Sequence, residues 1–137
     1  MPGNEDRVGY WLTPPDLMAE LQAEFDFNFD SAPYPRPAGF DGLKEPWGTR
    51  TWCNPPFTRA ARFGNNVGGL AAWAKKAISE ISRGNTVVFL APVAEPVGWL
   101  VNAGEARGLG RLRFLSPSGK ESKNALPYIL FILRPKP

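Results

Sequence analysis

The residues in this 137-residue chain whose types and spacing could do chemistry are Asn54, Pro55, Pro56 and Phe57, closing the run Thr51-Trp52-Cys53. Two consecutive prolines fix φ and remove two backbone donors, and the residue before each proline is pushed into an extended conformation. Asn54 therefore cannot enter a helix, and its side chain is held beyond the end of a short buried strand. In open α/β sheets that is where ligands bind. The Asn54 carboxamide and the Pro55 carbonyl offer acceptors, and Phe57 offers a flat ring face. Together they suit a planar group bearing an amine, which would donate to both oxygens while its ring stacks on Phe57. An ordinary Asn-Pro-Pro turn accounts for the tetrapeptide too, so the flanking sequence has to separate the two readings.

Composition narrows the chemistry. The chain is 43% hydrophobic and 21% charged, the balance of one globular domain spanning residues 1–137 with a core of its own. No apolar run approaches a membrane span, and the start reads as a polar arm over residues 1–9 rather than a signal peptide. There is no histidine and one cysteine, Cys53, so histidine base catalysis is excluded and no metal site is expected. Sixteen basic against thirteen acidic residues leave a net charge of +3, which permits nucleic-acid binding without demonstrating it.

Several elements must position the motif. Thr13-Pro14-Pro15-Asp16 reads as a helix start, with Thr13 as N-cap and Pro14 at the first helical position. Leu17, Met18, Leu21 and Phe25 follow at helical spacing, giving a helix over about 14–24. Phe25, Phe27 and Phe29 alternate with Asp26, Asn28 and Asp30, which predicts a strand over 25–30. Asp30 at its carboxyl end suits a ribose or an amino group, or serves as a turn former. Residues 31–49, rich in Pro and Gly, form a long loop that Phe40 and Trp47 would pin.

The second half continues the alternation of helix and strand. Residues 50–53 are the strand leading into Asn54. Leu70, Trp73, Ala74, Ala77, Ile78 and Ile81 predict a helix over 68–83, with Lys75, Lys76 and Glu80 on its polar side and Gly84 at its end. Further strands are expected over 86–91, 111–115 and 126–133, with a short helix near 96–106. Arg59, Arg62, Lys120 and Lys123 lie in polar loops where a phosphate backbone could pass, although solvated surface charge explains them as well.

The order of these pieces resembles a known family. Thr-Pro-Pro precedes a helix, and a Phe-x-Phe-x-Phe-Asp-x-Ala strand follows. Then come Asp41-Gly42-Leu43, Trp47 and Trp52-Cys53-Asn54-Pro55-Pro56-Phe57. A Trp/Lys/Ala helix, a Val-Val-x-Leu-x-Pro strand, Trp99 and Gly110-Arg111-Leu112-Arg113-Phe114 complete the series. From about residue 10 to 133 this is similar to the phage-type (Dam-like) DNA N6-adenine methyltransferase family. The resemblance implies an abbreviated Rossmann-like α/β fold that uses S-adenosylmethionine. Its sheet would run in the order 25–30, 50–53, 86–91, 126–133, 111–115, with the last strand in sequence antiparallel and inserted. It implies a catalytic motif at Asn54, Pro55, Pro56 and Phe57, and cofactor contacts at Trp11, Thr13, Pro14, Asp30 and Ala32. It also implies a phage or prophage enzyme acting on DNA in the bacterial host cytoplasm, with homodimers an option. Two features depart from the pattern. Ala94 and Pro96 stand where it usually has Arg and Asp, and no Gly-x-Gly loop follows the first strand.

On this reading, acceptors at Asn54 and Pro55 stabilise the charge that develops on adenine N6 as it takes up a methyl group. No strong base is required. The adenine must be flipped or single-stranded to be reached. Two alternatives stand beside it: a methyltransferase-like module that binds DNA or protein without catalysis, and a protein glutamine N5-methyltransferase.

Overall fold

The computed structural model describes residues 12–33, 35–55, 69–92, 100, 103–115, 118–121 and 126–136. Its elements are α1 (Pro15–Phe25), β1 (Phe29–Asp30), β2 (Arg50–Cys53), α2 (Gly69–Ser82), β3 (Thr86–Pro92), β4 (Glu105–Leu112) and β5 (Leu126–Leu133). The arm over 1–9, the loop over 58–67, Ala94, Pro96 and Trp99 lie outside the described residues, as does most of the helix expected near 96–106.

The five strands form one sheet in the order β1-β2-β3-β5-β4, the order the sequence predicts. β1, β2 and β3 are parallel, and β5 is antiparallel to both β3 and β4. Side-chain alternation on the inner strands divides the core into two layers. Val87, Phe89 and Ala91 of β3 and Phe131 and Leu133 of β5 face Leu70, Trp73, Ala74 and Ala77 of α2. Val88 and Leu90, with Leu130 and Ile132, share the opposite layer with Trp52 and Leu21, against which Leu17, Met18 and Phe25 of α1 pack. The sheet is thus covered by α1 on one face and α2 on the other.

The element boundaries require corrections. β1 covers two residues rather than 25–30, because Phe25 completes α1 and Asp26 takes a left-handed conformation, φ 53°, donating its N–H to Gln22 O as the helix ends. The Phe25–Phe27 alternation is therefore a helix exit, and Phe27 packs on Trp52 with ring centroids 5.5 Å apart. The strand placed at 111–115 runs from Glu105 to Leu112, with a register shift between Gly108 and Gly110. Glu105 and Ala106 are consequently strand, not the end of a helix.

Glu80 is not on a solvated face: its side chain is 1% exposed. It accepts from Lys76 Nζ at 2.7 Å, from Asn85 Nδ2 at 2.8 Å and from the Trp47 N–H at 3.4 Å. Burial alone would push its carboxyl up; these donors outweigh it and hold the carboxyl below the usual value. The loop over 31–49 is anchored through this carboxylate. Trp47 stacks on Trp73 and donates its ring N–H to Gly42 O at 2.7 Å. Phe40 packs on Phe29, centroids 6.1 Å apart. Gly42 itself admits no side chain, since a Cβ there would lie 2.0 Å from Ser31 O and 2.6 Å from Trp73 Cη2.

Candidate active site

The parallel pairing of β1 with β2 sets the geometry of the site. Phe29 pairs with Thr51 and Asp30 with Trp52, so both strands end at the same edge, one at Asp30 and the other just before Asn54. β2 lies between β1 and β3, which places Asn54 inside the sheet rather than at its margin. Ser31, fully buried, closes the step beyond β1 by donating its N–H to Trp52 O at 3.0 Å and its hydroxyl to the same oxygen at 3.2 Å.

Thr13 reaches the same edge from the start of α1. It does not cap the helix as its sequence position suggests. The N-cap position is Pro14, with φ −53° and ψ 132° and no side-chain capping bond. Thr13 Oγ1 instead accepts from Asn54 Nδ2 at 3.0 Å. The backbone on either side is fixed. Leu12 exchanges two hydrogen bonds with Leu115, at 2.6 and 3.0 Å, and Pro14 O accepts the Met18 N–H at 3.0 Å. The sequence offered no signal for the Thr13–Asn54 pairing, because 41 residues separate the two.

Asp30 stands at the open edge, accessible to solvent yet with protein on most sides. Loss of surrounding water pushes its carboxyl up to about 6, against an opposing hydrogen bond from the Ala32 N–H. That bond, 3.0 Å long, makes Asp30 a turn former, and the same carboxylate remains open to a ligand. Cys53 is fully buried beneath the site, and burial raises its thiol far from ionisation, so it is no nucleophile.

Of the residues singled out in the sequence, Thr13, Asp30 and Asn54 gather at one edge. Pro14 and Ala32 flank them, and Pro55 is buried directly after Asn54. Lys120 is exposed on a segment tied to the same region, since Leu115 bridges both Leu12 and Glu121. Trp11, Pro56, Phe57, Arg59, Arg62 and Lys123 lie outside the described residues. Among the described residues no cluster of His, Cys, Asp or Glu could hold a metal ion, and no helix is long and apolar enough to cross a membrane. A cavity of about 460 Å³ lined by Ile78, Ile81, Ala103 and Pro135 adjoins Gly84, before β3 begins, and so lies at the other end of the sheet.

A polar residue followed by proline, seated at the carboxyl end of an internal parallel strand, is an arrangement many folds could supply. Comparison with known families decides between them: the model for DNA N-6-adenine-methyltransferase (Dam) matches residues 4–137. The chain belongs to the Dam family. The match runs across every element described above, from the arm before α1 to the tail after β5. No curated protein and no solved structure matches the chain. Family membership makes DNA the implied substrate and adenine N6 the implied acceptor.

Proposed function

We propose that this Dam-family protein methylates adenine N6 in DNA with S-adenosylmethionine as donor, on an abbreviated Rossmann-like sheet. The observation that carries the proposal is the convergence of Asn54, Thr13 and Asp30 at the carboxyl edge of β1 and β2, in a chain that the Dam model spans.

The residues present fit the donor's methionine end. The Asp30 carboxylate, anionic above about pH 6, complements an ammonium or accepts from ribose hydroxyls, and it is reachable from solvent. When bound, the sulfonium supplies an electrophilic methyl group. The chain's own task is to hold the amine in line and to favour the charge that develops on it. Asn54 Oδ1 and the Pro55 carbonyl accept from the amine and draw its lone pair out of the ring. Phe57 follows two residues later and offers its face to the base, a contact worth about 1–3 kcal/mol. The positive charge on the methylated nitrogen is relieved by loss of a proton to water, so no histidine is needed. Arg59, Arg62, Lys120 and Lys123 are the proposed backbone contacts, and the adenine is reached flipped or unpaired.

The test is incubation of the protein with methyl-labelled cofactor and unmethylated DNA, followed by nucleoside analysis. N6-methyladenine is the expected product. Label in protein glutamine, or none in DNA with the cofactor bound, would overturn the proposal.

A further inference from the structure

Thr13 occupies the helix-start position of a capping residue and yet makes no capping bond. Its hydroxyl oxygen is turned to the Asn54 carboxamide, 3.0 Å from Nδ2. A carboxamide is nearly symmetric in shape and opposite in polarity at its two ends. If it turned over, an NH2 would meet an incoming amine, donor against donor. The acceptor that favours a developing ammonium would then face away from it. A threonine hydroxyl bonds either end, so the direction of this one bond decides which end the site presents.

We propose that Thr13 is a positioning residue: by accepting from Nδ2 it holds the Asn54 carboxamide with Oδ1 toward the target amine. The inference rests on the methyltransferase reading and assigns Thr13 a role in the chemical step rather than in holding the cofactor. Its support is rigid. The antiparallel bridge of Leu12 with Leu115 fixes the residue before it, and Pro14, whose carbonyl accepts from Met18, fixes the residue after it. Pro55, buried, anchors Asn54 from the other side. Both partners of the bond are therefore carried on backbone that packing holds in place, which is what a preorganised acceptor requires.

The test compares Thr13→Ser, Thr13→Val and Thr13→Ala. Folding is checked by circular dichroism, cofactor affinity by calorimetry, and the chemical step by single-turnover methylation of an adenine-containing oligonucleotide at saturating cofactor. Thr13→Ser keeps the acceptor and should methylate near the parental rate. Thr13→Val and Thr13→Ala remove it and should lower the rate at saturation about 10²-fold, the scale of a misplaced reacting group, with cofactor affinity within about threefold of the parent. A spectroscopic signature accompanies the rate. The Asn54 side-chain NH2 resonances should move toward free-amide positions in Thr13→Val and Thr13→Ala and stay in Thr13→Ser. This signature tests the bond even if the parental protein transfers no methyl to DNA, so failure of the methyltransferase reading is told apart from failure of the inference. Parental rates in Thr13→Val or Thr13→Ala, a loss confined to cofactor affinity, or unmoved Asn54 resonances would overturn it.

Discussion

Asp30 pairs with Trp52 across two parallel strands, and this register puts its carboxylate at the edge of the sheet from which Asn54 projects. The two side chains belong to different strands and different sequence neighbourhoods, joined by a 19-residue loop between β1 and β2. Buried Ser31, bonded twice to Trp52 O, keeps the two strand ends in step. The proposed division of labour follows from this placement: Asp30 toward the cofactor and Asn54 toward the base.

If Asp30 binds the cofactor as a carboxylate, affinity should rise with pH through about 6, where the group ionises, and Asp30→Ala should weaken binding and flatten that dependence. Calorimetry across this range checks it; unchanged affinity in the variant would remove Asp30 from the site. Stability should move the other way. The folded chain holds this proton more tightly than the unfolded one, whose carboxyl has the ordinary value of 3.8. The resulting stabilisation is complete below pH 3.8 and is lost as pH rises through about 6. Asp30→Asn, which still accepts from the Ala32 N–H, should therefore melt higher than the parent above pH 6, with the gain shrinking in acid.

Glu80 carries the opposite sign. Its carboxyl is held below the usual 4.5 in the folded chain, so its contribution is present above that value and is lost as pH falls through the lowered one. Glu80→Ala should destabilise the protein by about 3–5 kcal/mol, the range for removing one partner of a buried ion pair. Lys76, the Trp47 N–H and Asn85 all lose a partner in the variant. Urea melts at neutral pH and in acid provide the check: a deficit that does not diminish in acid would show that packing, not the charge, is what Glu80 supplies.

Gly42→Ala tests the loop bracket. The new Cβ would fall 2.0 Å from Ser31 O, a backbone atom that cannot swing aside, so about 1–3 kcal/mol of overpacking is the minimum expected. Because Ser31 follows Asp30, the displacement should also weaken cofactor binding. A variant with parental stability would show that the loop yields without strain.

What the sequence revealed and concealed follows physical lines. The order of the sheet was legible because β2, β3 and β5 are apolar runs set between turn residues, and α2 because its apolar stripe persists for three turns. The start of the site was legible as well, since two prolines fix the chain after Asn54 whatever surrounds it. β1 was not, because Phe25 and Phe27 alternate like a strand while Asp26 ends a helix in a left-handed conformation that only the backbone reveals. β4 was hidden by its composition. Glu-Ala-Arg-Gly-Leu-Gly has little strand propensity, and its pairing is imposed by β5, with Arg107 gripping Glu24 through bonds of 2.8 and 3.0 Å. Glu80 and Thr13 were misjudged alike. Each has a residue type with a common local role, surface charge or helix cap, and each is recruited by partners remote in sequence.

The central claim is that Asn54 acts on the amine in the transition state, and Asn54→Ala tests it most directly. Single-turnover methylation of adenine, with cofactor affinity titrated separately, should show a rate lowered by about 10²–10³, the scale of losing one preorganised polar group. Cofactor affinity should change far less, because the interaction belongs mainly to the transition state. If Asn54→Ala methylates adenine at the parental rate, Asn54-Pro55-Pro56 is only a turn, and the catalytic reading of this site is contradicted.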